Sequence, residues 1–184
     1  MIDTYSIIYR FYEPDSDLCN LLVKHSEQVA SLAKRLGQRL IESHTPLDID
    51  FVVEAAMLHD IGIIHTNAPG IYCHGTEPYI RHGVLGRQML DDMGLFRHAL
   101  VCERHTGAGL SLQEIDEQQL PLPHRDLLPL SLEEKLVCYA DKFFSKSHPN
   151  DTPRSLEVTR SKLLKFGGGT IARFDEMVDI FGEP

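Results

Sequence analysis

Imidazole and carboxylate groups occupy positions in this sequence where the helical period calls for apolar side chains. His25 interrupts an apolar stripe between Leu22 and Val29, and Asp141 lies four residues after Val137. Six residues share this inward placement: His25, His59, Asp60, His82, His105 and Asp141. A buried carboxylate without a partner is costly, and neutral imidazoles and ionised carboxylates are both natural metal ligands. The pattern therefore predicts a buried metal centre.

Each of these residues also has an ordinary structural explanation when it is taken alone. A core histidine is more often a hydrogen-bonded packing residue than a ligand, and an inward aspartate is more often a helix cap or an ion-pair partner. Asp141 and Lys142 would form a surface pair if their helix were rotated. The conjunction of so many inward polar groups in one chain favours the metal centre.

The apolar periodicity that must position these groups is helical nearly throughout, and no convincing alternating strand pattern is present. Before residue 105, helices are expected over residues 18–40, from the Asp48 cap to near Gly62, from Pro78 to about Met93, and from Gly94 to about Arg104. Residues 65–77 carry prolines and glycines and predict a long irregular loop.

Capping boxes, a proline and a run of glycines mark the helices after residue 105. The expected features are boxes at Ser111-x-x-Glu114 and Ser131-x-x-Glu134, a helix from Leu132 to about Lys146, another starting at Pro153, and a short C-terminal helix set apart by the glycines at 167–169. Together the patterns predict an all-α fold with residues 1–184 in a single domain.

Composition narrows the class of protein. The net charge of −9 argues against non-specific nucleic-acid binding, which requires a surplus of Lys and Arg. The sequence shows neither a basic, apolar leader nor the run of about 20 apolar residues that spans a membrane. Its four cysteines are widely separated, which is typical of reduced thiols in a cytoplasmic protein.

The order and context of the inward residues resemble the HD superfamily of metal-dependent phosphohydrolases, whose signature is a histidine, a His-Asp doublet and a distant aspartate. Here these are His25, His59-Asp60 and Asp141, and the doublet continues as the His-Asp-Ile-Gly form of the motif. The resemblance covers roughly residues 18–146 and is greatest to small stand-alone proteins described as predicted phosphohydrolases. It implies a helical bundle, to which residues 152–184 would add accessory helices.

Some branches of this superfamily carry two further histidines that bind a second metal, and His82 and His105 match those positions. The resemblance then implies that Asp60 bridges the two ions and that a hydroxide shared by them hydrolyses a nucleotide or a related small phosphoester. Imidazole and carboxylate ligands suit one or two divalent ions of Fe, Mn, Co, Ni or Zn.

Several other polar residues are candidates for supporting roles in this chemistry. His74 and His65 are candidate acids for the leaving group, and solvated loop histidines are the alternative interpretation. Arg81, Arg104 and Lys142 flank proposed ligands and are candidates for binding substrate phosphate, with solvated surface charge as the alternative. The remaining histidines are assigned to the surface or to loops: His44, His98, His124 and His148.

Two other functions remain open, and the first of them uses nearly the same ligands. One is an HD-type di-iron oxygenase, which would consume oxygen and ignore phosphoesters. The other is a catalytically silent domain that binds a nucleotide or a protein. No membrane partner is expected, and the sequence leaves a homodimer open.

Overall fold

The computed structural model describes residues 2–147 and 151–184, and it confirms the all-α bundle. The α-helices of this part of the chain are α1 (Thr4–Ile8), α2 (Asp17–Glu42), α3 (Ile49–Leu58), α4 (His82–Asp91), α5 (Phe96–Arg104), α6 (Leu112–Glu117), α7 (Leu132–Asp141), α8 (Leu156–Leu163) and α9 (Gly168–Phe181). None of them is long and apolar enough to cross a membrane.

The long helix α2 is the spine of the bundle. Ser16 caps it by accepting a hydrogen bond from the backbone N–H of Cys19, which supplies a partner for one otherwise unpaired donor of the first turn. Its buried face includes Leu22, Val29 and Leu36 and packs against α3 and α7. His25 lies on this same face, so the stripe that is broken in the sequence carries the histidine into the interior.

One hydrophobic cluster extends from Ile7 in α1 to Phe181 in α9, so the C-terminal helices share the core of the bundle. Tyr139 of α7 packs against the Phe174 ring and donates a hydrogen bond of 2.6 Å from its hydroxyl to the Gly182 carbonyl. Arg173 of α9 donates to backbone carbonyls of the 107–109 turn. These contacts fix α9 against α7 and against the 107–109 turn. All four cysteines are buried and free.

The structure corrects several predicted boundaries. Helix α7 ends at Asp141, five residues before the expected end at Lys146. Helix α8 begins after Ser155, whose hydroxyl caps the Val158 N–H, and not at Pro153. Helix α9 incorporates two glycines of the 167–169 run and is 14 residues long, because only Gly167 adopts a positive φ (99°) among them.

The two expected capping boxes have different outcomes. Ser111 and Glu114 form a reciprocal box at the start of α6. At α7, Ser131 caps the Glu134 N–H, but the Glu134 carboxylate accepts hydrogen bonds from the Leu130 N–H and from a nearby arginine. A stronger charged partner thus competes with the return bond of the second box.

The expected irregular loop at 65–77 contains a small antiparallel hairpin. Its strands are β1 (Asn67–Ala68) and β2 (Cys73–His74), with a short 3-10 helix at Pro69–Ile71 between them. Other 3-10 turns occur at Ile61–His65, Tyr79–Arg81 and Leu164–Phe166. The first of these directly follows the His59-Asp60 doublet.

Tyr12, from the segment after α1, holds the turn that follows the doublet. Its buried hydroxyl donates to the Ile61 carbonyl at 2.6 Å and accepts from the Ile64 N–H at 3.1 Å. The sequence pattern gives no hint of this contact, which spans about fifty residues. The turn that aims Asp60 is therefore held from outside its own segment.

We predict that Tyr12→Phe lowers the free energy of unfolding by about 1–3 kcal/mol, because it removes the hydrogen bonds to two backbone groups of the turn. Urea denaturation of the chelator-treated protein measures this. Tyr9→Phe is the control, since Tyr9 is 46% exposed. Equal stability of the two variants would show that the Tyr12 hydroxyl does not hold the turn.

Candidate metal centre

Six buried side chains from separate segments of the chain converge at one point. His25 lies on α2, His59 and Asp60 follow α3, His82 begins α4, His105 follows α5 and Asp141 ends α7. None of the six is more than 8% exposed, and Asp60 and His59 are fully buried. The convergence that the sequence predicts is therefore present in the fold.

Four of these residues form one ligand group, meaning a set of side chains that could hold a single metal ion. Their ligating atoms lie within 4.8 Å of one another, and the residues are His25, His59, Asp60 and Asp141. Nε2 of His25 lies 3.0 Å from Oδ1 of Asp141 and 3.3 Å from Oδ2 of Asp60. Nε2 of His59 lies 3.1 Å from the same Asp60 oxygen and 3.4 Å from Oδ1 of Asp141. Two imidazoles and two carboxylates thus point at a common centre.

Asp60 also belongs to a second group, with His82 and His105. Its other oxygen, Oδ1, lies 3.4 Å from Nε2 of each of these histidines. The two oxygens of one carboxylate therefore face the two groups, which is the arrangement that a bridging ligand requires.

Backbone carbonyls fix the tautomer of three of the histidines. In each, Nδ1 donates to a carbonyl three residues earlier: His59 to Ala56, His82 to Tyr79 and His105 to Cys102, at 2.6–2.8 Å. A carbonyl only accepts, so Nδ1 carries the proton and Nε2 presents its lone pair to the centre. Metal-bound histidines are commonly oriented by such hydrogen bonds.

The ligating atoms of this cluster would be better satisfied by a cation than by one another. Nε2 of His82 and Nε2 of His105 are 3.0 Å apart, yet in their fixed tautomers both are acceptors. Nε2 of His59 and Oδ1 of Asp60 are buried without a hydrogen-bond partner among the described residues. Divalent ions would relieve both conflicts, and a set of imidazole and carboxylate donors without thiolate suits a first-row transition metal.

The electrostatics of the cluster keep Asp60 and His82 in the forms that metals bind, whereas His59 would lose a proton when it binds an ion. Burial raises the pKa of Asp60, but the Lys146 ammonium and the neighbouring histidines together outweigh it and hold that pKa well below its usual range. Burial, together with His105, lowers the pKa of His82 to about 3, so its imidazole is neutral. Burial also lowers the pKa of His59, but the Asp60 and Asp141 carboxylates together overcome this and raise it to about 9. The paired aspartates thus attract positive charge.

Two glycines let the second group come close to the first. A Cβ on Gly62, the glycine of the His-Asp-Ile-Gly motif, would lie 2.2 Å from the His82 carbonyl. A Cβ on Gly86 would lie 2.3 Å from Sγ of Cys102. Helix α4 therefore packs directly on the 61–65 turn and on α5, and this contact brings His82 within reach of Asp60.

Of the three cations predicted to bind substrate phosphate, Lys142 lies at this centre. Its ammonium is 2.7 Å from Oδ2 of Asp141 and donates a hydrogen bond to the His105 carbonyl. Arg81 instead pairs with Glu77, and Arg104 pairs with Glu134.

The remaining histidines lie elsewhere. His74 and His65 are exposed and do not line the cavity beside the centre, and His44 and His124 are exposed as expected. His98 is not at the surface as predicted, because it is 8% exposed and pairs with buried Glu54 at 3.1 Å. His148 lies outside the described residues.

Lys146 and Tyr79 were missed by the sequence reasoning. Because α7 ends at Asp141, the chain turns back and places the Lys146 ammonium 2.6 Å from Oδ2 of Asp60. The Tyr79 ring stacks on His82 at 4.7 Å. The sequence pattern predicts that the helix continues to Lys146, so nothing in it indicates that this lysine reaches Asp60.

A cavity of about 760 Å³ opens beside the centre, a size that encloses small organic ligands. His82, Asp141, Lys142 and Lys146 line its inner part. Its other walls are largely apolar and include Tyr79. The site can therefore present ions to an anionic molecule and still accommodate a sizeable apolar body.

Comparison with known proteins identifies the family to which this chain belongs. The HD domain family matches residues 22–145, which contain all six inward residues. An uncharacterized protein from Methanocaldococcus jannaschii is 37% identical over 121 residues, which are 65% of this chain and 64% of that protein. No solved structure matches the chain.

Two further relatives are named for an enzymatic activity. Both are named tRNA (cytidine(56)-2'-O)-methyltransferase. The protein from Picrophilus torridus is 34% identical over 144 residues, and that from Thermoplasma volcanium is 29% identical over 157 residues. The matches cover 73% and 85% of this chain but only 37% and 41% of those proteins.

We predict that Asp60→Ala abolishes binding of both ions, because its carboxylate faces both groups, whereas His105→Ala weakens mainly the second. Losing even an indirect contact to a ligand costs about 10–100-fold in metal affinity, so the loss for Asp60 should exceed this. Elemental analysis and metal titration measure it. His124→Ala, which removes an exposed histidine, is the control. Unchanged metal content in the Asp60 variant would contradict the assignment.

We predict that Gly86→Ala lowers the free energy of unfolding by about 1–3 kcal/mol and weakens the second ion, because the new methyl displaces α4. Adding Cys102→Ala should restore part of both losses, since it removes the sulfur 2.3 Å from the new methyl. Gly168→Ala, where a Cβ meets nothing within 4 Å, is the control. Absence of any rescue would show that the α4–α5 contact does not position His82.

Proposed function

Because this chain belongs to the HD domain family, we propose that it is a metal-dependent phosphohydrolase acting on a small phosphoester of the nucleotide class. One observation carries the proposal: two buried ligand groups share Asp60 beside a cavity that cations line. The four buried free cysteines suit a reducing compartment, and we propose the cytoplasm.

The geometry of the two groups supports a definite ligand assignment. His25, His59, Asp60 and Asp141 would hold one divalent ion, and Asp60, His82 and His105 a second. Such ions lower the pKa of water and stabilise negative charge on phosphoryl oxygens. Iron, manganese, cobalt, nickel and zinc all suit these donors.

The described residues around the centre would bind and orient the phosphate. Lys142 is anchored between the Asp141 carboxylate and the His105 carbonyl, so its ammonium is held at the cavity wall. Lys146 also lines the cavity and is positioned by Asp60. Two fixed ammonium groups beside the ligand groups stabilise charge on the phosphoryl oxygens in the transition state. These lysines take the role that the sequence assigned in part to Arg81 and Arg104.

RNA is the alternative substrate that the relatives raise. The named tRNA methyltransferases are more than twice as long as the matched parts, so their methyl-transfer activity need not reside in the part that this chain shares. A net charge of −9 also disfavours the extended phosphate contacts that tRNA binding requires. We therefore favour a small molecule that fits within the cavity.

A phosphoester screen with defined metals tests the proposal. The metal-loaded protein should release phosphate from at least one nucleotide-class compound, and Asp60→Ala should lose this activity while His124→Ala keeps it. The same protein is given tRNA with a methyl donor, and its ferrous form is tested for oxygen consumption. Methylation, or oxygen consumption without phosphate release, would overturn the proposal. A protein that binds nucleotides but converts none would be the silent domain.

We predict that Lys146→Met raises metal affinity on the order of tenfold, because the ammonium no longer competes for Oδ2 of Asp60, and lowers kcat/KM for the phosphoester. Metal titration and steady-state kinetics separate the two effects. Lys34→Met, at an exposed position, is the control. A fall in metal affinity would show that Lys146 supports the ligand group instead of competing for it.

A further inference from the structure

The part of the chain after the family match builds much of the wall of the active-site cavity. The HD domain match ends at residue 145, and the lining residues beyond it come from the turn at 146–147, from Arg154, from α8 and the following 3-10 turn, and from the start of α9. This wall therefore lies outside the part of the chain that the family match covers. It is held against the bundle by Arg173 and by the shared hydrophobic cluster.

The cavity is cationic in a protein that is acidic as a whole. Its charged lining comprises one carboxylate, Asp141, and five cations: Lys142, Lys146, Arg154, Lys162 and Lys165. Four of these cations come from the segment after residue 145, while the chain carries a net charge of −9. Low-dielectric walls concentrate such a field, so the cavity favours a ligand with more than one negative charge.

The cations lie at two depths. Lys142 and Lys146 are largely buried and pair with Asp141 and Asp60, next to the ligand groups. Lys162 and Lys165 are exposed at the mouth of the cavity, on α8 and on the 3-10 turn that follows it. An anionic group bound by Lys162 and Lys165 would be separate from a phosphate bound beside the metal-ligating residues.

Two unused hydroxyl groups lie in the same wall. Thr159 of α8 and Thr170 of α9 line the cavity and are each 1% exposed. Their hydroxyls have no hydrogen-bond partner among the described residues. Buried hydroxyls are normally satisfied by hydrogen bonds, so these two leave hydrogen-bonding capacity unused in this wall.

The rest of the lining is largely apolar and partly aromatic. Tyr79, Phe144 and Phe166 contribute rings, and Leu163 and Ile80 contribute aliphatic surface. Planar heteroaromatic groups pack well on such surfaces. A nucleoside has the required combination of a flat apolar base and a polar sugar.

We infer that the segment after residue 145 forms a second anion subsite, with Lys162 and Lys165 as its cations, and that the ligand is a nucleoside carrying two separate phosphate groups. This inference rests on the proposed function and specifies its substrate class. One phosphate would lie at the ligand groups near Lys142 and Lys146, the base against the apolar lining, and the other phosphate at the outer lysines.

Equilibrium binding to the metal-loaded protein tests this without turnover. The probes are adenosine analogues in which a methylene phosphonate replaces each phosphate ester, one a 5′-phosphonate and the other a 3′,5′-bisphosphonate. Wild-type protein should bind the bisphosphonate at least about tenfold more tightly. In Lys162→Ala/Lys165→Ala this preference should fall to about threefold or less, with unchanged affinity for the monophosphonate. The variant should keep its metal content and thermal midpoint, since both lysines are exposed.

Arg10→Ala/Lys34→Ala removes the same charge from exposed positions outside the cavity and is the matched control. An undiminished preference in the lysine variant, an equal loss in the control, or no binding of either probe would overturn the inference. Phosphate release from AMP and from adenosine 3′,5′-bisphosphate is measured in parallel. Lysine-dependent binding without any hydrolysis would reject the phosphohydrolase and keep the subsite, whereas hydrolysis without the preference would do the reverse.

Discussion

The buried carboxylate of Asp60 is the constraint on which the arrangement of this protein depends. It is fully buried, and its oxygens face two groups of imidazole lone pairs and a second carboxylate. Such a collection of acceptors is unfavourable in a low-dielectric interior unless positive charge is placed among them. Lys146 supplies one such charge through its ion pair with Asp60. Divalent ions would supply more, and they would turn a source of instability into a catalytic site.

The fold supplies the rigidity that this site needs through the backbone. Carbonyl groups fix the tautomers of His59, His82 and His105. The lack of a side chain at Gly62 lets α4 approach the turn after the doublet, and Tyr12 holds that turn from the far side. Three of the histidine ligands are thus oriented by backbone carbonyls, which have no rotamers to change.

The sequence predicted the helical class and the metal cluster because both follow from periodicity: a polar residue on an apolar helical face has to be buried. It could not predict where the chain goes after a helix that ends earlier than the apolar pattern suggests. Helix α7 stops at Asp141, and Lys146 therefore turns back onto Asp60, whereas a continued helix would have directed it elsewhere. Arg81 and Arg104 are adjacent to ligands in sequence but pair with Glu77 and Glu134, which sequence proximity cannot show. His98 was missed because its partner Glu54 lies 44 residues away, on another helix.

The central claim is that two divalent ions lie on either side of the Asp60 carboxylate. Anomalous diffraction from crystals of the manganese-loaded protein tests it most directly. The expected result is two peaks per chain, one at Oδ2 of Asp60 with His25, His59 and Asp141, and one at Oδ1 with His82 and His105. A map without peaks at this carboxylate, in crystals whose protein contains manganese by elemental analysis, would contradict the account.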